Sequence, residues 1–570
     1  MKTLTVKRSG SITLPRVDVL SGLVTFVIFA SVVFLSVYQL QPPGTVPASA
    51  PLTEFSADRA MQHLQVIAQQ PHPIGSPEQR KVRAYIVQEL DRLGLEPEVQ
   101  KELVEQRSQF ITVYNIVARL KGTDNTKAIM LVAHYDTVPT SPGASDDGAA
   151  VVAILETARA LKASSSLRND VIFLFTDGEE GWMLGARAFV DKHPWAKDVG
   201  LVLNFEARGT SGPSLMFETS DNNGWLISEF AKAAPYPVAN SLMYDVYKLL
   251  PNNTDFTIFK GAGFAGFNFA YINDLNHYHS PNDNLEAIDE RSLQHHGIYS
   301  LSLIRHFGDL DLQHTRSNDV IYFNIIRPIF IYYPVSWSIP LAVLVSLLFI
   351  GTVALGFRKR QLTASGIILG FLIFLLSLVI APMAVTLIWQ TALTITRSNP
   401  AAYTNGLYMI ALASFTIAIT SVIYVRLGTR ISSQNLTVGG LLWWLILAIL
   451  IGRYLPGGSY LTTWPLLFSL IGIGFVFASK DTEMSLKRSW FVLSLCAIPG
   501  IILFTSTIYL IFTAMTLRLC AALMALVVIA TGLLIPHFKL MATPHKWLLP
   551  SVATLIGLGL MMAGTLRIGT

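Results

Sequence analysis

Four short stretches gather residues able to hold metal ions or to move protons. In "HYDTVPTSPGASDDGA", residues 134 to 149, one histidine and three aspartates share a loop with two glycines, directly after the apolar run "KAIMLVA". His134 followed two residues later by Asp136 suits a metal-bound imidazole whose other ring nitrogen is oriented by a carboxylate. A solvated loop carries the same pair. Asp146 and Asp147, between glycines and ahead of an apolar helix, can address different partners, one of them bridging two cations. Their competing role is a helix start, where acids are favourable. In "TDGEEGWMLGA", residues 176 to 186, Glu179 and Glu180 follow a buried-looking strand. There one carboxylate can hold a metal while its neighbour takes a proton from water. An ordinary acidic turn has the same composition. "NFEARG" ends another apolar run with Glu206, and "YHSPNDNLEAID" supplies Tyr278 and His279. Each stretch is bland alone. As an ordered series at strand ends they point to metal-assisted hydrolysis.

Such groups need a frame. "ITVYNIVARL", "KAIMLVAH", "DVIFLFT", "GLVLNFEA" and "GFAGFNF" read as strands, and residues 56–70, 77–94, "GAAVVAILETARALKA" and "GARAFVDKH" as helices. Ser76-Pro77 with Glu78 following marks a helix entry. Alternating helices and strands over residues 41–325 predict one α/β domain with a mainly parallel central sheet. In such sheets ligands bind beyond the carboxyl ends of the strands. His134, the Glu179–Glu180 pair and Glu206 all fall there.

The rest of the chain is apolar. Of 570 residues 52% are hydrophobic and only 14% charged, well below the quarter typical of soluble proteins. Residues 17–40 read as a transmembrane anchor rather than a cleaved signal, and "PPGTVPASAP" at 42–51 as an extended linker. Eight further apolar segments are expected within 326–570, at 334–357, 364–389, 403–425, 438–455, 460–479, 490–511, 514–535 and 547–565. That makes nine spans; only "FTAMTLRL" separates the segments at 490–511 and 514–535, and Pro499-Gly500 interrupts the first of them. Lys2, Lys7, Arg8 and Arg16 in the first sixteen residues, and "RKR" at 358–360, predict a cytoplasmic N-terminus and an α/β domain on the far side. Basic loops with Arg426 and Arg430, with Lys480, Lys487 and Arg488, and with Lys539 and Lys546 agree. The N-terminal and "RKR" residues more than account for the net charge of +5, so a lipid bilayer is the expected partner and nucleic acid is not. Arg453 and Arg518 sit near span ends, where long side chains reach the interface. The two cysteines, Cys496 and Cys520, both fall in expected spans. A metal in the exposed domain must therefore be held by His, Asp and Glu.

The series from "HYD" to "YHSPNDNLEAID" resembles the dizinc exopeptidase family, which includes secreted bacterial aminopeptidases and glutamate carboxypeptidases. The single anchor, exposed domain and further spans are similar to its membrane-anchored branch, the vacuolar membrane proteases and endoplasmic reticulum metallopeptidases. The resemblance implies an α/β zinc-exopeptidase domain joined to an all-α polytopic membrane domain, acting on peptide substrates. It implies two Zn²⁺ ions, one held by His134 and Glu206, the other by Glu180 and His279, with Asp146 bridging. Glu179 would be the general base, Asp136 would orient His134, and Tyr278 would hydrogen-bond the developing oxyanion. Two zinc ions, three carboxylates and a bridging hydroxide make a neutral centre, and the donor set suits zinc while admitting manganese or cobalt.

Departures and neighbours complete the reading. Glu206 stands where secreted relatives commonly have Asp, as in the membrane-anchored branch. Arg208 replaces a small residue and could meet a substrate carboxylate or pair with a structural acid. His277 reads as a loop residue, His295 and His296 as surface or packing residues, and Asp255 as part of the pocket wall. Asn252-Asn253-Thr254 is a glycosylation sequon close to the site. An aminopeptidase is the expected activity. The alternatives are a transporter or receptor with a peptidase-like domain, and a single-zinc glutaminyl cyclase-like enzyme. The oligomeric state is left open.

Overall fold

The computed structural model describes residues 19–397, 399–479, 483–537 and 546–569. The expected cytoplasmic segment 1–16, with Lys2, Lys7, Arg8 and Arg16, lies outside the described residues, as do Lys480 and Lys539. A first helix, α1 (Val19–Tyr38), leads through the linker to α2 (Ala57–Ile67) and α3 (Pro77–Arg92). The α3 entry forms as its sequence predicts, with Pro77 in the first turn and the Ser76 hydroxyl accepting the Gln79 N–H at 3.0 Å. Then come β1 (Glu98–Gln106), β2 (Gln109–Leu120), β3 (Ala128–His134), α4 (Ala150–Lys162), β4 (Val171–Thr176), α5 (Leu184–Lys192) and β5 (Val199–Ala207). They are followed by β6 (Leu215–Thr219), α6 (Gly224–Ala233), α7 (Ser241–Tyr247), α8 (Asp255–Gly261), β7 (Gly266–Tyr271) and α9 (Glu290–Phe307).

The seven strands run in the order β1-β2-β4-β3-β5-β7-β6. β4, β3, β5 and β7 are parallel, whereas β2 and β1 on one side and β6 on the other join antiparallel. The centre is buried on both faces, so its strands are apolar at every position rather than alternating. Ile129, Leu131 and Ala133 of β3 pack with α2, α4 and α9, while Met130 and Val132 face α5 and α8. Each large side chain fully buried there contributes about 1.5–3 kcal/mol. β1 and β6 escape the sequence reading for a physical reason. "EVQKELVEQ" of β1 is polar because no position on this edge strand is fully buried, and β6 is only five residues long.

Beyond α9, β8 (Val320–Ile326) and β9 (Ile329–Pro334) form a hairpin that straddles the expected domain boundary at 325. Phe323 stacks on Tyr460 with ring centroids 4.3 Å apart, seating the hairpin on the helices that follow. These are α10 (Ser338–Arg358), α11 (Ala364–Ile395), α12 (Pro400–Thr404), α13 (Gly406–Leu427), α14 (Ser433–Tyr454), α15 (Tyr460–Ala478), α16 (Glu483–Met515), α17 (Cys520–Gly532) and a last helix, Leu548–Gly569. Among the described residues seven stretches are long and apolar enough to cross a membrane. Their outward side chains, among them Leu347, Ile350, Met383 and Leu387, are large, apolar and exposed, as lipid permits and water does not. The chain is a multi-pass membrane protein.

The expected pair of spans at 490–511 and 514–535 takes a different form. α16 continues through Pro499, a residue tolerated inside apolar helices that have packing neighbours. The chain turns at Thr516–Leu519, inside the expected separator "FTAMTLRL", where Thr516 adopts φ 56°, and α17 is only 13 residues long. Residues 487–532 therefore count as one of the seven stretches. The apolar part of α1, Gly22–Tyr38, is shorter than those seven.

A latch joins the loops that follow β5 and β7. The Thr210 N–H donates to the Asn273 carbonyl and the Asn273 N–H to the Ser211 carbonyl, each at 3.0 Å. A Cβ on Gly209 would lie 2.0 Å from that Asn273 oxygen. Gly209→Ala must displace backbone, and we expect it to destabilise the α/β domain by about 1–3 kcal/mol, read as a lower thermal midpoint. An unchanged midpoint would show that the latch is loose.

Candidate metal centre

The expected ligands converge beyond the carboxyl ends of the parallel strands. His134 is the last residue of β3, Glu179 and Glu180 follow β4, Glu206 lies one residue from the end of β5, and His279 belongs to the loop after β7. In the turn before the glutamates Gly178 has φ 71°, a conformation that favours glycine. Two groups of candidate ligand atoms form, His134 with Asp147 and Glu206, and Asp146 with Glu180 and His279, each within 4.8 Å.

Asp146 lies between the two groups. Its Oδ1 is 3.3 Å from His134 Nε2 and its Oδ2 is 3.1 Å from His279 Nε2. His279 Nε2 is also 3.1 Å from Glu180 Oε1, yet both atoms are buried without a hydrogen bond. Atoms that close, misaligned for one another, are aimed at a common point, as donors around a cation are. Glu206 turns Oε2 to within 3.7 Å of His134 Nε2, while its Oε1 accepts from Asn204 Nδ2 at 3.0 Å. Nitrogen and carboxylate donors of this kind fit zinc.

His134 Nδ1 donates to the Asp136 carbonyl at 3.0 Å, with the Asp136 carboxylate at 3.6 Å. This leaves the Nε2 lone pair for a metal. The main orienting group is thus the Asp136 carbonyl, and the Asp136 carboxylate accepts the Glu179 N–H at 3.0 Å. Asp136 therefore sets both the imidazole and the segment that bears the neighbouring glutamates. Tyr278 stacks on the His279 ring at 3.7 Å between centroids. With Asp146, Glu179 and Glu206 it lines a cavity of about 320 Å³.

Burial and crowding shape the electrostatics. Burial pushes Glu179 and Glu180 above the ordinary carboxylate range and Glu206 to about 8, with neighbouring acids adding to each shift. Burial opposes charge on the imidazoles, but close contacts with the Asp146 carboxylate outweigh it. With Asp136 they hold His134 well above its usual value, and with Glu180 they bring His279 to about 10. Protons are retained where divalent cations would otherwise supply the countercharge.

Asp283 went unread in the sequence, while Asp147, open to capping the helix or supporting the backbone, and His296, open to a surface or packing place, are decided by the structure. Asp147 caps no helix; its Oδ2 accepts the His134 N–H at 3.2 Å, and its buried Oδ1 has no hydrogen-bond partner. Asp283 accepts the Ser145 N–H at 2.7 Å and the Asp146 N–H at 3.1 Å, pinning the loop that carries the bridging carboxylate. It sits in the quoted "SPNDNLE", but nothing local marks it as a partner of residues almost 140 positions earlier. His296 is fully buried on α9. Its Nε2–H donates to the Glu206 carbonyl at 3.0 Å and its Nδ1 accepts from Ser214 Oγ at 2.7 Å. His295 is buried too, with Nδ1 accepting the Ser214 N–H. Both are packing residues, not surface ones. His277 stays outside the cluster, bonded to Thr210 Oγ1 at 2.9 Å. Asp255 is buried under the site, where it accepts from Thr176 Oγ1, and Asn252, Asn253 and Thr254 line the cavity instead.

Residues 115–304 match the sequence profile of Peptidase family M28. Human endoplasmic reticulum metallopeptidase 1 is 29% identical over 355 residues, covering 57% of this chain and 39% of that protein. The vacuolar membrane protease of Candida albicans (strain WO-1) is 33% identical over 238 residues, covering 41% of this chain and 28% of that one. The chain thus spans well under half the length of these relatives. Among solved structures, an aminopeptidase from Aneurinibacillus sp. strain AM-1 aligns with 47% of this chain and 98% of its own, at 15% identity and a TM-score of 0.39.

Two outcomes are expected from this geometry. Asp283→Ala frees the Asp146 loop and should weaken metal affinity about 10- to 100-fold, measured by competition with a chromophoric chelator. Burial lowers His295 to about 3 and His296 to about 4 from an ordinary 6.5. Their contribution is complete above pH 6.5 and is lost as pH falls toward those values, on the order of 1–2 kcal/mol each by pH 5. A His296→Gln variant should be less stable at pH 7 but show a shallower fall in thermal midpoint between pH 7 and 5. An equal slope in both proteins would contradict the assignment.

Proposed function

We propose that this chain, which carries a Peptidase family M28 domain, is a membrane-bound zinc metallopeptidase that binds two zinc ions and acts as an aminopeptidase. Its catalytic domain works on the non-cytoplasmic face. The observation that carries the reading is Asp146, with one carboxylate oxygen toward each ligand group, beside Glu179 in the same cavity. His134, Asp146 and Glu206 would hold one ion, and Asp146, Glu180 and His279 the other, with Asp147 supporting the His134 backbone. Two bound zinc ions would supply Lewis acidity, activating water and polarising the scissile carbonyl.

The chain's own groups do the rest. The Glu179 carboxylate accepts the proton of the attacking water and returns it to the leaving amine nitrogen. The Asp136 carboxylate fixes the Glu179 backbone, so the base starts close to its working position. The Tyr278 hydroxyl, protonated because burial and the surrounding acids raise its pKa, donates a hydrogen bond to the oxygen on which negative charge develops. The same acids attract a substrate ammonium, which favours an aminopeptidase. A single-zinc cyclase would leave one ligand group without a role, and a sensor without catalysis would not need Glu179 in the cavity.

Glu179→Gln should lower kcat by about 10²- to 10⁴-fold while metal analysis still returns two zinc ions per chain. Full activity in that variant would refute the base assignment, and one zinc per chain the dinuclear centre. Peptides blocked at either end test the polarity of cleavage: turnover that requires a free N-terminus supports an aminopeptidase, and turnover of N-blocked peptides excludes it.

A further inference from the structure

The cavity beside the cluster holds a cation that the cluster does not use. Arg208, two residues beyond Glu206, lines the cavity with it. It is half-buried, and among the described residues its guanidinium has no ion pair or hydrogen bond. Glu218 of β6 and Asp221 just after it are already committed. Glu218 accepts from Lys260 Nζ and from Asn268 Nδ2, each at 3.2 Å, and Asp221 accepts from the Tyr244 hydroxyl at 2.9 Å. Asp146 and Glu206 belong to the metal ligands. Tyr247 lines the same cavity, and its buried hydroxyl has no hydrogen-bond partner. Burial raises the pKa of that phenol, Glu218, Glu206 and Glu179 add to the rise, and the positive charge of Arg208 opposes it. A guanidinium and a phenol hydroxyl, both unpartnered donors in one cavity, call for an anionic acceptor.

The rest of the wall sets the size of what enters. Leu215, Phe217, Met243 and Val246 line it from the α/β domain, and Ala514 and Met515 from the end of α16. At about 320 Å³ the cavity is at the small end of ligand pockets. The wall therefore sets the Arg208 and Tyr247 donors against apolar surface, beside the reacting centre. We propose that Arg208, assisted by Tyr247, receives a carboxylate of the substrate, making this site selective for short peptides with an apolar side chain and a carboxylate close to the scissile bond. The carboxylate is either the α-carboxylate of a short peptide or an acidic side chain. The inference rests on the peptidase reading, and it makes Arg208 a specificity residue rather than a member of the hydrolytic machinery. The planar fork of arginine matches a carboxylate in two parallel hydrogen bonds, which lysine cannot reproduce.

The test uses binding, so that it does not depend on turnover. Zinc-loaded full-length Glu179→Gln protein in detergent is titrated calorimetrically with one leucine-containing tripeptide as its free acid and as its C-terminal amide. A third ligand, an amidated tripeptide carrying glutamate, separates the two sources of carboxylate. We expect one carboxylate-bearing ligand to bind roughly 10- to 100-fold more tightly than the neutral amide. Adding Arg208→Gln should bring that ratio close to one, and adding Arg208→Lys should retain only part of it. Equal affinities for all three ligands with Arg208 present, or a preference that survives Arg208→Gln, would overturn the proposal. Peptide hydrolysis by the wild-type protein without a carboxylate preference would sink this inference alone; carboxylate-selective binding without any hydrolysis would instead sink the peptidase reading.

Discussion

Uncompensated negative charge at one end of a parallel sheet is the constraint on which the rest of this structure depends. Asp136, Asp146, Asp147, Glu179, Glu206 and Asp255 are buried or nearly so, with two imidazoles among them and, among the described residues, no lysine or arginine ion-paired to them. An acidic cluster of that kind is costly to bury unless protons or cations neutralise it. The strand ends bring the carboxylates together, and the surrounding hydrogen bonds keep them from relaxing apart. Asp283 holds the Asp146 loop, Asn204 holds Glu206, and the Asp136 carbonyl holds His134. A scaffold that keeps like charges in close contact is preorganised for divalent metal.

The membrane helices are part of that scaffold. Ser241 Oγ donates to the Gly457 carbonyl at 2.7 Å, Asn273 Nδ2 to the Tyr509 hydroxyl at 2.9 Å, and Thr404 Oγ1 to Asn276 Oδ1 at 3.0 Å. Asn273 and Asn276 lie in the loop that ends in Tyr278 and His279, so the helices brace a metal-ligand loop directly. Met515 extends that contact into the cavity wall. The α/β domain and the helices thus both line the cavity beside the candidate ligands.

How much of this was legible follows from how each feature is encoded. β3, β4, β5 and β7 stand out because strands buried on both faces must be continuous apolar runs. β1 was missed because its edge position leaves it polar. The ligand series stood out because histidines and carboxylates recur at strand ends, and the described structure brings His134, Asp147 and Glu206 together in one group and Asp146, Glu180 and His279 in another. Asp283 and His296 were not legible in their roles. Each acts through a backbone group distant in sequence, and a backbone amide or carbonyl carries no residue-type signal. The turn at Thr516–Leu519 falls within the separator "FTAMTLRL" that the sequence marks, whereas the interruption at Pro499-Gly500 is absorbed because packed apolar helices accommodate proline.

The sequence by itself determined the class of the molecule and the chemical types at its centre. Apolar composition requires a membrane, and histidines with carboxylates in a cysteine-free domain leave only nitrogen and oxygen ligands for a metal. The tertiary structure alone decided which carboxylate oxygen faces which imidazole, and that Asp147 stands behind His134. It also decided that Arg208 has no ion pair among the described residues, while Lys260 and Tyr244 engage Glu218 and Asp221. These outcomes depend on distances between groups tens to hundreds of residues apart, and chain spacing carries no information about such distances until the sheet and its helices have packed.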